Sequence, residues 1–366
     1  MSKNSMFWSP KKILSKGCTY NMVIGERSNG KTYGVELYSL KKYIETGEQF
    51  AIIRRWGDDF KGKRGATMFD SIVANEEIKK LTKGEWTDIY YYSSRWFLCR
   101  YEDDKRIVDV KPLAYGFSLS AMEHDKSTSY PGITTIIFDE FLTRSGYLQN
   151  EFVLFMNVIS TIARLRTNIK IFMLGNTVNQ YCPYFDEMGL YRVRKMKQGD
   201  IDVYEYGNSE LKVAVEYCES LSNKGKKNSN FLFAFENPKL EMITTGTWEM
   251  DIYPHCPFKY KSNEIIYTYF IIFDNNILQC EIIVTNNITF TFIHRKTTPL
   301  KSEDNDLIYS TSYDPRCNWR RNMLNSKDNI DVQIKWYFIT DRVYYQDNTV
   351  GEIVKNYLLW CKKRGL

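Results

Sequence analysis

The chain has 366 residues, enough for about two domains with real cores, and its 43% hydrophobic and 26% charged residues are the balance of a soluble globular protein. A net charge of +6 is too mild for the overall field to capture a polyanion, so such a partner must be met by local patches. Eight scattered Cys without a Cys-x-x-Cys pair, and three distant histidines (His124, His255, His294), argue against a disulfide framework, a zinc site and a histidine metal centre, and fit a reducing compartment.

Residues 1–18 carry Trp8-Ser9-Pro10 with Lys11, Lys12 and Lys16, and no secretory leader is visible. This segment could lie beside a nucleotide base or be a plain flap. A strand over 20–24 then runs into Gly25-Glu26-Arg27-Ser28-Asn29-Gly30-Lys31-Thr32, and helical spacing follows over 31–43. Strand, Gly-x-x-x-x-Gly-Lys-Thr and helix, in that order, form the loop that cradles a polyphosphate. Loop N–H groups and the helix N-terminus point at the anion, and glycines let the backbone come close. Lys31 would neutralise the β/γ oxygens of ATP, and the Thr32 hydroxyl would hold Mg²⁺. A buried strand over 49–55, ending in Arg54-Arg55, completes a β-α-β unit and opens a parallel α/β sheet.

Helical spacing returns over 68–81, and short strands over 89–92, 96–101 and 106–110 read as a small antiparallel insertion. After a polar loop over 123–131, the apolar run from Ile133 ends in Asp139-Glu140. On a strand neighbouring the phosphate loop, such an aspartate reaches Mg²⁺ and the adjacent glutamate polarises the attacking water. A carboxylate dedicated to water separates motor ATPases from small-molecule kinases, which must exclude water.

The spacing predicts an amphipathic helix over 149–163 with Phe152, Met156 and Ile159 on one face. Hydrolysis in a ring motor usually needs a cation from the next subunit, worth on the order of 10³–10⁵ in rate, and Arg164 and Arg166 are the natural candidates. Arg164 falls roughly 150° from the centre of the apolar stripe and so projects outward, as a finger must, although the helix macrodipole also favours an arginine there. Arg166 is either past the helix end or tucked in. A strand over 168–174 ends in Gly175-Asn176, where Asn176 either senses the γ-phosphate or caps the following turn.

Residues 211–221 read as a short helix, and the polar, basic stretch 222–230 is the best domain boundary. Beyond it, strands over 231–235, 265–273, 277–284 and 288–294 surround Asn-rich turns, and a helix closes the chain over 349–362. The longest apolar run, 265–273, is far short of the about 20 residues that span a bilayer, so no membrane partner is expected.

The segments Val23-Ile-Gly-x-Arg-x-x-Gly-Lys-Thr, Gly47-Glu-Gln-Phe50 followed by Arg54-Arg55, Leu119-Ser with Lys126-Ser-x-x-Tyr-Pro131, Ile137-Phe-Asp-Glu-Phe141, and Asn176 after a strand resemble the DNA-encapsidation ATPases of small short-tailed phages, relatives of the terminases. The resemblance covers most of residues 5–185. It implies an ASCE-type P-loop ATPase over 1–197 with a parallel central sheet, a helical linker over 198–230, and a smaller strand-rich α+β domain over 231–366. It further implies ATP and Mg²⁺ as ligands, a homopentameric ring, and double-stranded DNA and the procapsid portal as partners. A packaging RNA bridges motor and portal in some relatives, and the site of action is the host cytoplasm, transiently on the procapsid. By position, Arg27 matches the loop arginine of packaging ATPases, Asp139 the magnesium aspartate, Glu140 the catalytic glutamate, Arg164 the trans-acting finger and Lys126 a second trans-acting cation.

Terminases carry a ribonuclease-H-like nuclease at the C-terminus, which needs clustered carboxylates for two metals. Here the strand centres lack inward acids, Asp274 lies in a turn and Glu281 stands alone, so a nuclease fold without nuclease chemistry is expected. Lys61, Lys63 and Arg64, then Lys224, Lys226 and Lys227, then Arg316, Arg320 and Arg321 with Trp319, are three basic clusters that could grip DNA phosphates or simply be solvated. The alternatives to a packaging motor are a helicase-like ATPase and a nuclease-bearing terminase.

Overall fold

A computed structural model of the chain describes residues 7–124, 128–144, 147–148, 150–220, 247–300, 302–325 and 328–363. Two compact units, Met1–Glu249 and Met250–Leu366, divide it.

The first unit begins with a helical turn, α1 (Lys11–Leu14), then β1 (Tyr20–Gly25), α2 (Lys31–Thr46) and β2 (Gln49–Arg54). Strand β1 is buried along its whole length, as a central parallel strand of Val, Ile and Met should be. Short helices α3 (Lys63–Ala66), α4 (Asp70–Ala74) and α5 (Glu77–Leu81) follow. The single helix expected over 68–81 is therefore two, because Glu76 adopts a left-handed φ of 54° between them. Strands β3 (Asp88–Tyr92), β4 (Arg95–Glu102) and β5 (Lys105–Val108) are antiparallel as expected. They extend the main sheet, since β4 pairs with β6 (Ala114–Ser118).

Next come β7 (Ile133–Asp139), α6 (Glu151–Ala163), β8 (Lys170–Asn176), α7 (Pro183–Glu187), β9 (Ile201–Glu205) and β10 (Lys212–Tyr217). The sheet order is β3-β4-β6-β2-β7-β8-β1-β10-β9, and the six strands from β6 to β10 run parallel. Side chains alternate between its faces: Met22 and Ile24 join one core with Phe155, Val158 and Ile162 of α6, while Val23 joins a second with Val35 and Leu40 of α2. The sheet is thus sandwiched between helical layers.

Three expectations need correction here. Strand β8 lies between β1 and β7, so the Asp139 strand is not the immediate neighbour of the phosphate-loop strand. Residues 212–217 form β10 rather than a helix, because the slot beside β1 buries Val213, Ala214 and Val215 together. With β9 and β10 completing this sheet, 201–217 is not linker, and the first unit runs past the expected boundary at 197. The remainder of the proposed linker from 221, with Lys224, Lys226 and Lys227, and the strand expected over 231–235 lie outside the described residues.

The second unit has a meander of β11 (Ile265–Phe273), β12 (Asn276–Thr285) and β13 (Ile288–Arg295), as read from the sequence. β14 (Leu307–Ser310) runs parallel to β11, β15 (Trp319–Arg320) parallel to β14, and β16 (Val343–Tyr345) parallel to β13. Helices α8 (Asn329–Ile339) and α9 (Asn348–Lys363) accompany them. The unit is thus the strand-rich α+β arrangement expected from the sequence, a three-strand meander extended by parallel strands at both edges. Two of its buried acids, Glu281 and Asp331, are taken by protein partners. Glu281 accepts hydrogen bonds from Tyr260 at 2.9 Å and Gln279 at 2.7 Å and faces His294 at 3.4 Å, with no second carboxylate among these partners. Asp331 is fully buried against Tyr309 and Arg320. No metal-binding group of three or more His, Cys, Asp or Glu occurs among the described residues.

Candidate active site

The phosphate loop is shaped by two glycines that no other residue fits. Gly30 sits at φ 89°, and a Cβ there would meet Phe7 at 3.1 Å. A Cβ on Gly25 would meet the Cβ of Cys218, on the chain leaving β10, at 2.9 Å. The Trp8 backbone N–H donates to the Asn29 carbonyl at 3.0 Å and its ring packs against Gly34, so the leading segment lies on the loop and the first turn of α2.

Within the loop, the buried Lys31 ammonium donates to the Glu26 carbonyl at 2.7 Å, to Asn29 Oδ1 at 3.2 Å and to Asn176 Oδ1 at 3.3 Å. Burial pulls its pKa down, and Cys218, Asp139 and Glu26 only partly restore it. Glu26 is not turned toward the loop mouth. It is buried and accepts the Ser220 hydroxyl at 2.8 Å, which anchors the loop from behind. Arg27 and Ser28 are exposed. Asn29 Nδ2 is buried without a hydrogen-bond partner, an orphaned donor that phosphate oxygen would satisfy. The donor set fits a triphosphate.

Thr32 Oγ1 donates to Asp139 Oδ1 at 3.3 Å, although 107 residues separate them in sequence. A hydroxyl beside a carboxylate at the helix N-terminus is an oxygen pair suited to Mg²⁺. Glu140 follows at φ 60°, its carboxylate mostly exposed. Arg54 bridges both acids, reaching Asp139 Oδ2 at 2.9 Å and Glu140 Oε2 at 3.0 Å. Its neighbour Arg55 points to the other face and is buried against Glu151 of α6. One turn beyond Thr32, the buried Glu36 carboxyl is held well above the usual carboxylate range, by burial first and by the Asp139 charge second.

Asn176, at the end of β8, stands level with Gly25 of β1. Because β8 is the intervening strand, its tip lies between the loop and the carboxylates. Loop, Asn176, Asp139 and Glu140 are therefore collected at one edge of the parallel sheet, outside the carboxyl ends of the strands.

Residues 1–230 match the podovirus DNA encapsidation protein (Gp16) family. The chain belongs to this DNA encapsidation family. It is 31% identical over 269 residues to the DNA packaging protein of Bacillus phage B103, covering 64% of this chain and 76% of that one. It is 29% identical over 185 residues to the DNA packaging protein of Bacillus phage phi29, covering 50% of this chain and 49% of that one. A chain of the bacteriophage phi29 genome packaging motor assembly shares the fold at TM-score 0.56 and 20% identity, covering 99% of this chain and 100% of that one. A chain of the phi28 packaging motor does so at 0.54 and 20%, covering 98% and 96%.

The remaining expected site residues of this encapsidation-family chain are more dispersed. Arg164 caps α6 in a left-handed conformation, φ 41°, is exposed, and donates to the Thr128 carbonyl at 3.0 Å. Its direction thus follows from the cap rather than from helical periodicity. The face of α6 is also turned: Phe155, Val158, Ile159 and Ile162 are buried, while Met156 is 37% exposed. Arg166 is past the helix end and tucked in, donating to five carbonyls of 130–133 and 162–163. Lys126 lies outside the described residues.

Of the basic clusters, Lys61 pairs with Asp58 at 2.7 Å and Arg64 approaches Asp59 at 4.0 Å, while Lys63 is exposed. Arg316 is taken up by Asp304 and Asp314, and Arg320 by Asp328 and Asp331. The third cluster is therefore largely neutralised within its own unit. Sequence reasoning assigned no role to Arg54, Arg55, Glu151 or Glu36. The only signal was the paired arginine at the end of β2, whose register with β7 (Ile53 beside Phe138) puts Arg54 level with Asp139.

Proposed function

We propose that this chain is the ATP-hydrolysing subunit of a viral genome-packaging motor, driving double-stranded DNA into a procapsid. Family membership supports the setting. The observation that carries the chemistry is the convergence of Lys31, Thr32, Asn176, Asp139 and Glu140 at one sheet edge, with Lys31 on Asn176 and Thr32 on Asp139.

The N–H groups from Gly25 to Thr32 and the start of α2 would receive the phosphates. Thr32 and Asp139 would hold Mg²⁺, which supplies charge neutralisation at the phosphate oxygens when bound. An arriving triphosphate gives Lys31 anionic partners in place of loop carbonyls, which opposes the burial that pulls its pKa down. Glu140 accepts a proton from the attacking water. Since Arg54 engages that carboxylate, their pair opens before Glu140 can act.

Arg164, exposed at the far end of α6, is presented to a neighbouring subunit of a homo-oligomeric ring, a pentamer by family resemblance. Such a ring would sit on the portal in the host cytoplasm, joined in some relatives by a packaging RNA. Lys61, just before α3, and Lys63 and Arg64 in its first turn are described cations for DNA phosphates, and the second unit serves as a nucleic-acid or portal-binding module.

Subunit mixing tests the trans assignment. Arg164→Ala chains and Lys31→Ala chains are each expected to be inactive alone and to regain ATP turnover when mixed, at interfaces where each supplies what the other lacks. Full turnover by Arg164→Ala alone, diluted to monomer, removes the trans role.

A further inference from the structure

The geometry points to Arg55 as a positioning residue that clasps the catalytic glutamate and the finger-bearing helix into one rigid piece. This rests on the proposed roles of Glu140 and Arg164.

The Arg55 guanidinium is buried and uses its donors in two directions. Toward β7, Nη1 donates to the Glu140 carbonyl at 3.1 Å and Nη2 to the Phe141 carbonyl at 2.8 Å. Toward α6, Nε and Nη2 donate to the two oxygens of Glu151, each at 2.8 Å. Glu151 is the first residue of α6, and the same helix ends at Arg164. Its carboxylate is fully buried and also accepts the Tyr184 hydroxyl at 3.0 Å and the Leu148 N–H at 2.7 Å. The rings of Tyr147 and Phe138 lie 5.2 and 6.0 Å from the guanidinium.

Planarity makes this an arginine's work. A bidentate fork on Glu151 fixes the orientation of the plane, and the plane then fixes where the two carbonyls lie. The carbonyls matter because Glu140 holds a left-handed φ of 60°, which costs energy in a residue with a Cβ and persists only where surroundings enforce it. Without the clasp, the Glu140 backbone is released toward an ordinary conformation and its carboxylate leaves the site. The start of α6 loses its anchor in the same event. Arg55 touches neither the phosphate loop nor any reacting atom, so nucleotide binding does not depend on it.

The test uses full-length Arg55→Lys, which keeps the charge but not the fork, and Glu151→Gln, which keeps size and a hydrogen-bonding oxygen. Both are expected to bind a fluorescent ATP analogue within about threefold of the unaltered chain, which also shows that they are folded, while kcat falls about 10²-fold, the scale of an ångström-sized misplacement. The decisive readout is donation in trans. Glu140→Gln chains, dead in their own site but with an intact α6, are expected to rescue Arg164→Ala chains. Arg55→Lys and Glu151→Gln chains are expected not to. Equal rescue by all three donors overturns the clasp, as does a wild-type kcat in either variant. If Glu140→Gln itself fails to rescue, the trans reading of Arg164 falls, and the clasp falls with it.

Discussion

Arg164 and Arg166 stand two residues apart at the end of one helix and have opposite fates. Arg166 closes the C-terminus of α6 by donating to the carbonyls of Ile162 and Ala163 and to three carbonyls of the preceding loop. Truncating it orphans acceptors that are partly buried, at about 1–3 kcal/mol. Arg164, exposed and turned outward by its cap, supports little of the fold. Thermal denaturation is expected to show a drop of several degrees for Arg166→Ala and little change for Arg164→Ala, with the loss of turnover in the reverse order where subunits meet. Sequence spacing offered both as fingers, and only the cap geometry separates them. The same limit hid Arg54: its partners Asp139 and Glu140 are 85 and 86 positions away, and nothing local in Arg54-Arg55 says which of the two turns to the site and which to α6.

At the scale of elements, the phosphate loop, β7 and β8 were legible because each is a short apolar run ending in a distinctive group. The helical reading of 211–221 failed because a buried parallel strand and a short helix share the same apolar composition, and only its place beside β1 decides. In the second unit, the meander was legible from its Asn-rich turns, but the polar cluster on its strands was not. Glu281 on β12 lies beside His294 on β13 through the pairing of those strands. Burial pushes the Glu281 carboxyl up, but hydrogen bonds from His294, Gln279 and Tyr260 outweigh it and hold it below its usual range. The Glu281 bond raises His294 above its ordinary value. A raised histidine contributes stability that is fully present below about 6.5 and lost as pH rises through its folded pKa. A lowered glutamate contributes stability present above about 4.3 and lost as pH falls through its folded pKa. The pair therefore stabilises this unit most between those limits. His294→Gln is expected to flatten the fall in stability above pH 6.5, by less than about 1 kcal/mol since the ring is partly exposed. An unchanged profile in denaturant titrations at pH 6 and pH 8 would contradict this.

For the whole molecule, the two units divide the work by chemistry. The first gathers a phosphate loop, the Thr32–Asp139 oxygen pair and the exposed Glu140 carboxylate at one sheet edge. In the second, Glu281 and Asp331 are committed to internal partners, and no group of three or more metal-ligating residues occurs among the described residues, whereas two-metal cleavage requires paired open carboxylates. Incubating the full chain with Mn²⁺ and plasmid is expected to leave the DNA intact, and nicking that is abolished by Glu281→Gln or Asp331→Asn would overturn that division. Membership in the encapsidation family was legible from the first 185 residues, because their motifs are short, distinctive and in a fixed order. The extent of the first unit was not, because β9 and β10 carry no such chemistry and reveal themselves only by pairing.

The central claim is that the carboxylate after β7 turns over ATP for DNA movement. The most direct test is ATP hydrolysis by the full chain with and without double-stranded DNA, beside Glu140→Gln under the same conditions. DNA is expected to stimulate turnover in the unaltered chain, while Glu140→Gln binds ATP normally and hydrolyses it at least about 10²-fold more slowly. Turnover by Glu140→Gln at the unaltered rate would contradict the account.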